Sequence, residues 1–210
     1  MATRIVTIAH AWGAGGERIG HRVAEALGFR YVDDEIVDLA AKKHGLDASV
    51  VADAERRKGV LARMLDDIAA APMLDPSGTT GYLMTDPTVM PPADALREFI
   101  VEAIRETAQR GDVVIVSHAA GIPLAGRDDV LRVLVTASFE TRVTRFAERR
   151  GIDRAEATKA LKDSDAARAD YFRRFYHIDH ELPVHYDLVI NTDRLTPDDA
   201  VAIITATARR

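Results

Sequence analysis

Short runs of β-branched and aliphatic residues alternate along this chain with longer segments whose apolar positions recur every three or four residues. Arg4–Ala9 (RIVTIA), Asp112–Val116 (DVVIV), Leu131–Val135 (LRVLV) and Asp187–Ile190 (DLVI) have the unbroken apolar character of buried strands, and Phe29–Val32 reads as a shorter one. Glu17–Leu27 sets Ile19, Val23, Ala24 and Leu27 on one helical face and stops at Gly28. Ile36–Lys43 reads as a helix ending at His44 and Gly45, and Asp47 caps a further helix carrying Val50, Val51, Ala54, Val60, Leu61 and Leu65. Ala93–Gln109 places Leu96, Ile100 and Ile104 on one stripe, and Phe139–Arg150 is a basic helix ended by Gly151. Asp153 caps a helix through Leu161, Asp165–Tyr176 reads as another, and Pro197 opens a last one. Pro72–Pro92 differs: five of the chain's eight prolines, with Gly78 and Gly81, break any regular element there. Strands that alternate with helices predict one α/β domain with a mostly parallel, five-stranded sheet and helices on both faces.

Composition narrows the partners. The 210 residues are 47% hydrophobic and 29% charged, enough apolar material for a sizeable core. A net charge of -5 and a pI near 5.8 speak against a nucleic-acid partner. The absence of cysteine removes disulfides, thiolate metal sites and cysteine nucleophiles together. The chain runs from Met1 straight into a strand pattern, and no apolar run approaches the roughly twenty residues that span a bilayer. The expectation is a soluble, cytoplasmic protein with no membrane partner; homodimerisation is left open.

Chemistry concentrates first in a glycine-rich turn. In open α/β sheets ligands sit at the carboxyl ends of the strands. The first strand delivers the chain into His10, Ala11, Trp12, Gly13, Ala14, Gly15 and Gly16, and then into a helix. Three glycines let the backbone curl and turn its N–H groups inward, where the helix N-terminus adds positive potential and phosphate is the natural occupant. A plain tight connection is the competing reading. The phosphate-loop pattern G-x-x-x-x-G-K-[ST] is not met: Gly16 stands in the lysine position, Glu17 in that of serine or threonine, and His10 in that of the opening glycine. The dinucleotide pattern G-x-G-x-x-G also fails at Arg18, although Asp33 lies about twenty residues on, where that fold places a ribose-binding acid. Local motifs leave a dinucleotide-dependent oxidoreductase open.

Four blocks in order along the chain decide between them. They are the strand followed by Gly13-Ala14-Gly15-Gly16 with Ile19-Gly20 and Ala24–Gly28, then Tyr31–Val37 with its acidic centre Asp33-Asp34-Glu35. The third is Val133–Arg145, containing Ala137-Ser138, Glu140, Arg142 and Arg145, and the fourth is Asp165-Ala166-Ala167-Arg168 followed by Tyr186–Thr192. Together they resemble the cytidylate-kinase-like family of P-loop nucleoside monophosphate kinases, in which a glycine commonly replaces the loop lysine. The chain departs from that family after the third strand, where Ser117-His118 stands in place of Gly-Arg.

The resemblance implies a P-loop kinase-type three-layer α/β/α sandwich over residues 1–210, with an acceptor-binding region at about 34–110 and a helical lid at about 140–180. It also implies ATP-dependent phosphorylation of a pyrimidine nucleoside monophosphate, with ATP and Mg²⁺ as cofactors and nucleotides as partners. Under it Trp12, Gly13, Ala14, Gly15, Gly16 and Glu17 hold the ATP phosphates together with Arg142. Arg145, Arg168, Asp165 and Arg18 form the catalytic set, and Asp33, Asp34 and His118 serve the acceptor.

The residue chemistry fits. Phosphoryl transfer asks for positioning and neutralised charge, so a loop without lysine must obtain cations elsewhere. Arg142, Arg145 and Arg149 fall at i, i+3 and i+7 on one helix, and Arg168, Arg173 and Arg174 come from the opposite arm of the lid. Arginine gives planar, bidentate donors to phosphate oxygens. The competing reading is a solvated amphipathic hairpin with ion pairs at helical spacing, such as Asp165 with Arg168. Asp33 and Asp34 are suited to hold Mg²⁺ through water or to bind an acceptor hydroxyl, although Asp34 also suits a helix N-cap. Glu17 suits the helix dipole, and Arg18 is placed to supply the missing cation. His118 ends the third strand and is either a site residue or a core histidine. Trp12 either shields phosphates, stacks on a base or packs. His177, Asp179, His180 and His185 do not match a closed metal site, so no resident metal ligand is assigned. The alternative to an active kinase is a catalytically weak or inactive nucleotide-binding pseudokinase with a regulatory role.

Overall fold

The computed structural model describes residues 2–33, 35–45, 93–116 and 119–210. The Asp47 helix, the Pro72–Pro92 stretch, Asp34, Ser117 and His118 lie outside the described residues.

In chain order the elements are β1 (Ile5–His10), α1 (Gly16–Leu27), β2 (Arg30–Val32), α2 (Glu35–Lys43), α3 (Ala93–Gln109), β3 (Val113–Val116), β4 (Val130–Thr136), α4 (Phe139–Arg150), α5 (Arg154–Tyr176), a 3₁₀ turn at Pro183–His185, β5 (Leu188–Asn191) and α6 (Pro197–Ala208). The strands form one sheet in the order β2-β3-β1-β4-β5, with every pairing parallel. Ile5 of the central strand stands opposite both Val113 and Val130, and His10 at its end stands opposite Val135.

The two-residue period of a strand explains the two cores. Ile5, Val113, Ile115 and Val130 face α2 and α3, where Ile36, Ala40, Ile100 and Ile104 are buried. Val6, Ile8, Val114, Val116, Leu131, Val133 and Val135 face the opposite layer, with Ile19 and Val23 of α1 and Val201 and Ile204 of α6. Both faces are covered, so the strands read as apolar runs without alternation. The result is an α/β sandwich of the P-loop kinase type, as the sequence predicts.

Helix ends follow the local chemistry. Gly28 and Gly151 terminate α1 and α4 with φ of 70° and 66°, and the Asp153 carboxylate accepts the Glu156 amide at 2.8 Å to start α5. Thr196 and Asp199 cap α6 reciprocally, with Pro197 in its first turn.

One expectation is corrected. The segments read as two helices, from Asp153 through Leu161 and from Asp165 to Tyr176, are one continuous 23-residue helix. Neither glycine nor proline interrupts Arg154–Tyr176. Ala157 and Leu161 pack on Val143 and Phe146 of α4, and Tyr171, Phe172 and Phe175 pack around Ala119, so tertiary contacts hold both ends of the helix. Asp165 and Arg168 also do not pair with each other: Asp165 meets Arg142, and Arg168 meets Glu181.

Candidate functional site

The chain leaves the buried end of β1 at His10 and enters α1 at Gly16. Gly13 and Gly15 adopt φ of 85° and 89°, values that L side chains rarely tolerate. Gly13 also lies against the first turn of α4, where a β-carbon would come within 3.0 Å of the Arg142 backbone. Among the described residues no backbone carbonyl accepts the amides of Gly15, Gly16 or Glu17, which open the positive end of α1.

Two arginines pin this loop from behind. Arg142, with 8% of its side chain exposed, meets both carboxylate oxygens of Asp165 at 2.9 and 2.7 Å and reaches the Trp12 carbonyl at 3.4 Å. Its Nε is buried and, among the described residues, has no hydrogen-bond partner. Arg145 donates to the Thr192 hydroxyl at 3.0 Å and to its carbonyl at 2.7 Å. The buried Thr192 hydroxyl lies 3.0 Å from the Ala14 carbonyl and 3.1 Å from that of Thr136, tying the loop to β4 and β5.

In front of the loop lies a cavity of about 330 Å³. His10 and the glycines at 13, 15 and 16 line it from the sheet side, with Glu17 at the start of α1. Trp12 and Phe146, stacked at 5.8 Å and 20°, give it an aromatic wall, and Arg149 and Arg150 of α4 bring cations to it. The Arg150 guanidinium lies 5.7 Å over the Phe146 ring. Trp12 remains 47% exposed.

The electrostatics of the cavity turn on His10. Burial pushes its pKa below the ordinary histidine value, and the charges of Arg168 and Arg149 add to that, while Glu17 and the Ala11 carbonyl oppose it. Burial and the two arginines thus favour the neutral imidazole.

Of the predicted phosphate-holding residues, Trp12, Gly13, Gly15, Gly16 and Glu17 line the cavity, whereas Ala14 is buried beneath it. Arg142, Arg145, Asp165 and Arg168 do not line it. Arg168 makes a bidentate pair with Glu181 at 2.8 and 2.6 Å, over the Phe172 ring. Glu181 also accepts from the Tyr186 hydroxyl, whose pKa is raised by burial and by the neighbouring carboxylate. Arg18 is exposed on α1 outside the cavity lining. Asp33 accepts from the Tyr31 hydroxyl at 3.1 Å at the end of β2, two strands from β1 in the sheet order. His185 accepts the Leu182 amide at 3.2 Å, and among the described residues no three histidine or carboxylate side chains converge as a metal site. No described helix is long and apolar enough to cross a membrane.

Sequence reasoning grouped Arg149 with Arg142 and Arg145 as a source of cations, but it did not assign Phe146, Arg150 or His10 to the site. For His10 the signal was present: it occupies the place of the opening glycine, at the carboxyl end of the central strand.

Comparisons with known proteins place the chain in a family. Cytidylate kinase of Methanocorpusculum labreanum is 25% identical over 202 residues, covering 96% of this chain and 94% of that protein. Cytidylate kinase of Methanopyrus kandleri is 30% identical over 110 residues, covering 49% of this chain and 57% of that protein, so this match spans little more than half of the relative's length. In the solved structures, shikimate kinase from Acinetobacter baumannii superposes with a TM-score of 0.52 at 14% identity, covering 98% of this chain and 92% of that one, a likeness of fold alone. The model of the cytidylate kinase-like family matches residues 5–194, from the first strand to just beyond the last, and the chain belongs to that family.

Proposed function

We propose that this protein transfers the γ-phosphoryl group of ATP to a pyrimidine nucleoside monophosphate of the CMP or dCMP type. The observation that carries the reading is the glycine loop at the end of β1: among the described residues no backbone carbonyl accepts the amides of Gly15, Gly16 or Glu17, and these residues line a cavity that Arg149 and Arg150 also line. Family membership and the P-loop kinase fold support it. The loop amides and the α1 dipole cradle the phosphates, while the α4 arginines neutralise charge on oxygens that a loop lysine would otherwise meet. Trp12 and Phe146 keep water from one side of the cavity.

Mg²⁺ fits the donor set present. It binds through one or two carboxylates, phosphate oxygens and water, and Glu17 offers a carboxylate in the cavity at the position where a hydroxyl residue follows the lysine in the usual loop. When bound, the ion supplies charge neutralisation on the phosphate oxygens.

The test is release of ADP from ATP and Mg²⁺ in the presence of CMP, dCMP and UMP. The reading expects release that depends on the monophosphate and falls at least about tenfold in Arg149→Ala, the size of one lost charge-assisted contact. Release independent of any monophosphate contradicts it. One observation favours the second reading, a nucleotide-binding pseudokinase: Arg142, Arg145 and Arg168 are already engaged by Asp165, Thr192 and Glu181. That reading expects nucleotide binding with no ADP release.

A further inference from the structure

Gly16 is the first residue of α1, and its φ lies outside the left-handed region. Backbone conformation therefore does not explain the glycine. The neighbour across the loop does. A β-carbon on Gly16 would stand 2.3 Å from Cβ of His10, 2.4 Å from its Cγ and 2.7 Å from its Cδ2. These atoms cannot swing away like the tip of a long side chain, because Cβ is fixed by the backbone of β1, whose end pairs with Val135. Positions 10 and 16 thus share one side-chain volume. Either may carry a side chain, and not both.

A lysine-bearing phosphate loop, G-x-x-x-x-G-K, makes the opposite choice: glycine where this chain has His10, and a side chain where it has Gly16. We propose that the two positions are exchanged here, and that His10 is the side chain this loop presents to a bound polyphosphate. His10 is among the residues that line the cavity, beside the loop glycines and with Arg149 also on its wall. The Nδ1 atom lies 3.5 Å from the Ala11 carbonyl, and an imidazolium, which carries an N–H on both ring nitrogens, can meet a phosphate oxygen through Nε2. The bulk of the charge then comes from Arg149 and Arg150, and His10 supplies a directed donor from the sheet side. The inference rests on the reading of the cavity as a phosphate site.

The test compares wild type, Gly16→Lys, His10→Ala, His10→Gly/Gly16→Lys and His10→Ala/Gly16→Lys, measuring melting temperature without ligand and calorimetric affinity for ATP with Mg²⁺ and for inorganic tripolyphosphate. Gly16→Lys is expected to melt far below wild type or not to fold. His10→Gly is expected to restore folding to the lysine variant, whereas His10→Ala, which keeps a β-carbon at the point of conflict, is not. His10→Ala alone is expected to fold and to bind both probes at least about tenfold more weakly, as for one lost phosphate contact. A Gly16→Lys variant as stable as wild type overturns the shared volume, and unchanged affinity in His10→Ala overturns the phosphate role. Wild type that binds neither probe removes the underlying reading as well. Tight wild-type binding with an unaffected His10→Ala removes this inference alone.

Discussion

Arg142 on α4 grips both carboxylate oxygens of Asp165 on α5, and through the same guanidinium it reaches the carbonyl of Trp12 in the loop. This contact joins three elements distant in sequence: the turn after β1, the helix after β4 and the middle of the long helix that follows it. It also places Arg142 behind the loop, where it sets the position of the cavity wall without lining the cavity.

Breaking that pair should cost folding energy. Removing one partner of a buried ion pair typically costs several kcal/mol, and because Asp165 is 38% exposed the expected loss for Arg142→Met is smaller, about 2 kcal/mol. Urea unfolding of the ligand-free protein measures it. Unchanged unfolding with lost ATP affinity would instead assign Arg142 to the ligand.

Arg149→Ala should behave in the reverse way. Arg149 is exposed, lines the cavity and, among the described residues, has no carboxylate pair. Its removal should leave stability within about 0.5 kcal/mol of wild type while ATP affinity falls at least about tenfold. Thermal melting and calorimetry on one preparation distinguish this from a folding defect, which would lower both together.

Thr192→Val tests how the loop is anchored. The substitution keeps the shape but removes the hydroxyl that lies against the Ala14 and Thr136 carbonyls and accepts from Arg145. Leaving these buried groups unsatisfied should cost about 1–3 kcal/mol and weaken ATP binding as Ala14 loosens. If only stability falls, the loop holds its shape without Thr192.

Acid stability should carry a signature of Asp187. The Arg132 side chain bonds both its oxygens at 2.6 and 3.0 Å, and the Arg132 amide adds a third bond, together holding its pKa below the ordinary 3.8. A lowered carboxylate pKa stabilises the fold above the unfolded value of 3.8, and that contribution is lost as pH falls through the folded value. Wild type should therefore lose its margin over Asp187→Asn below pH 3.8, by about 1 kcal/mol for a partly exposed pair. Stability against pH, measured for both proteins by denaturant unfolding, checks the sign; a margin that persists below that window contradicts it.

What the sequence made legible was local. The strands after Arg4 and Gly111, the caps at Gly28, Gly151 and Asp153, and the loop between β1 and α1 all follow from patterns within a few residues. The unbroken α5 was not legible, because Lys162–Ser164 is polar and only packing at both ends carries the helix through it. The division of labour between the arginines was equally hidden. Arg142, Arg145, Arg149 and Arg168 look alike in sequence, and what separates them is a partner 23, 47 or 13 residues away for three of them and the open cavity for Arg149. The departures from the usual loop at positions 10 and 16 were visible separately. That their side chains would occupy the same space is a fact of the fold alone.

The central claim, that this loop holds a nucleotide's phosphates without a lysine, is tested most directly by a crystal structure grown with ATP, Mg²⁺ and CMP. The account predicts phosphate oxygens within hydrogen-bonding distance of the Gly15, Gly16 and Glu17 amides, with His10 and Arg149 on the same group. Phosphates bound elsewhere in the presence of saturating nucleotide, with those amides turned toward protein acceptors, would contradict it.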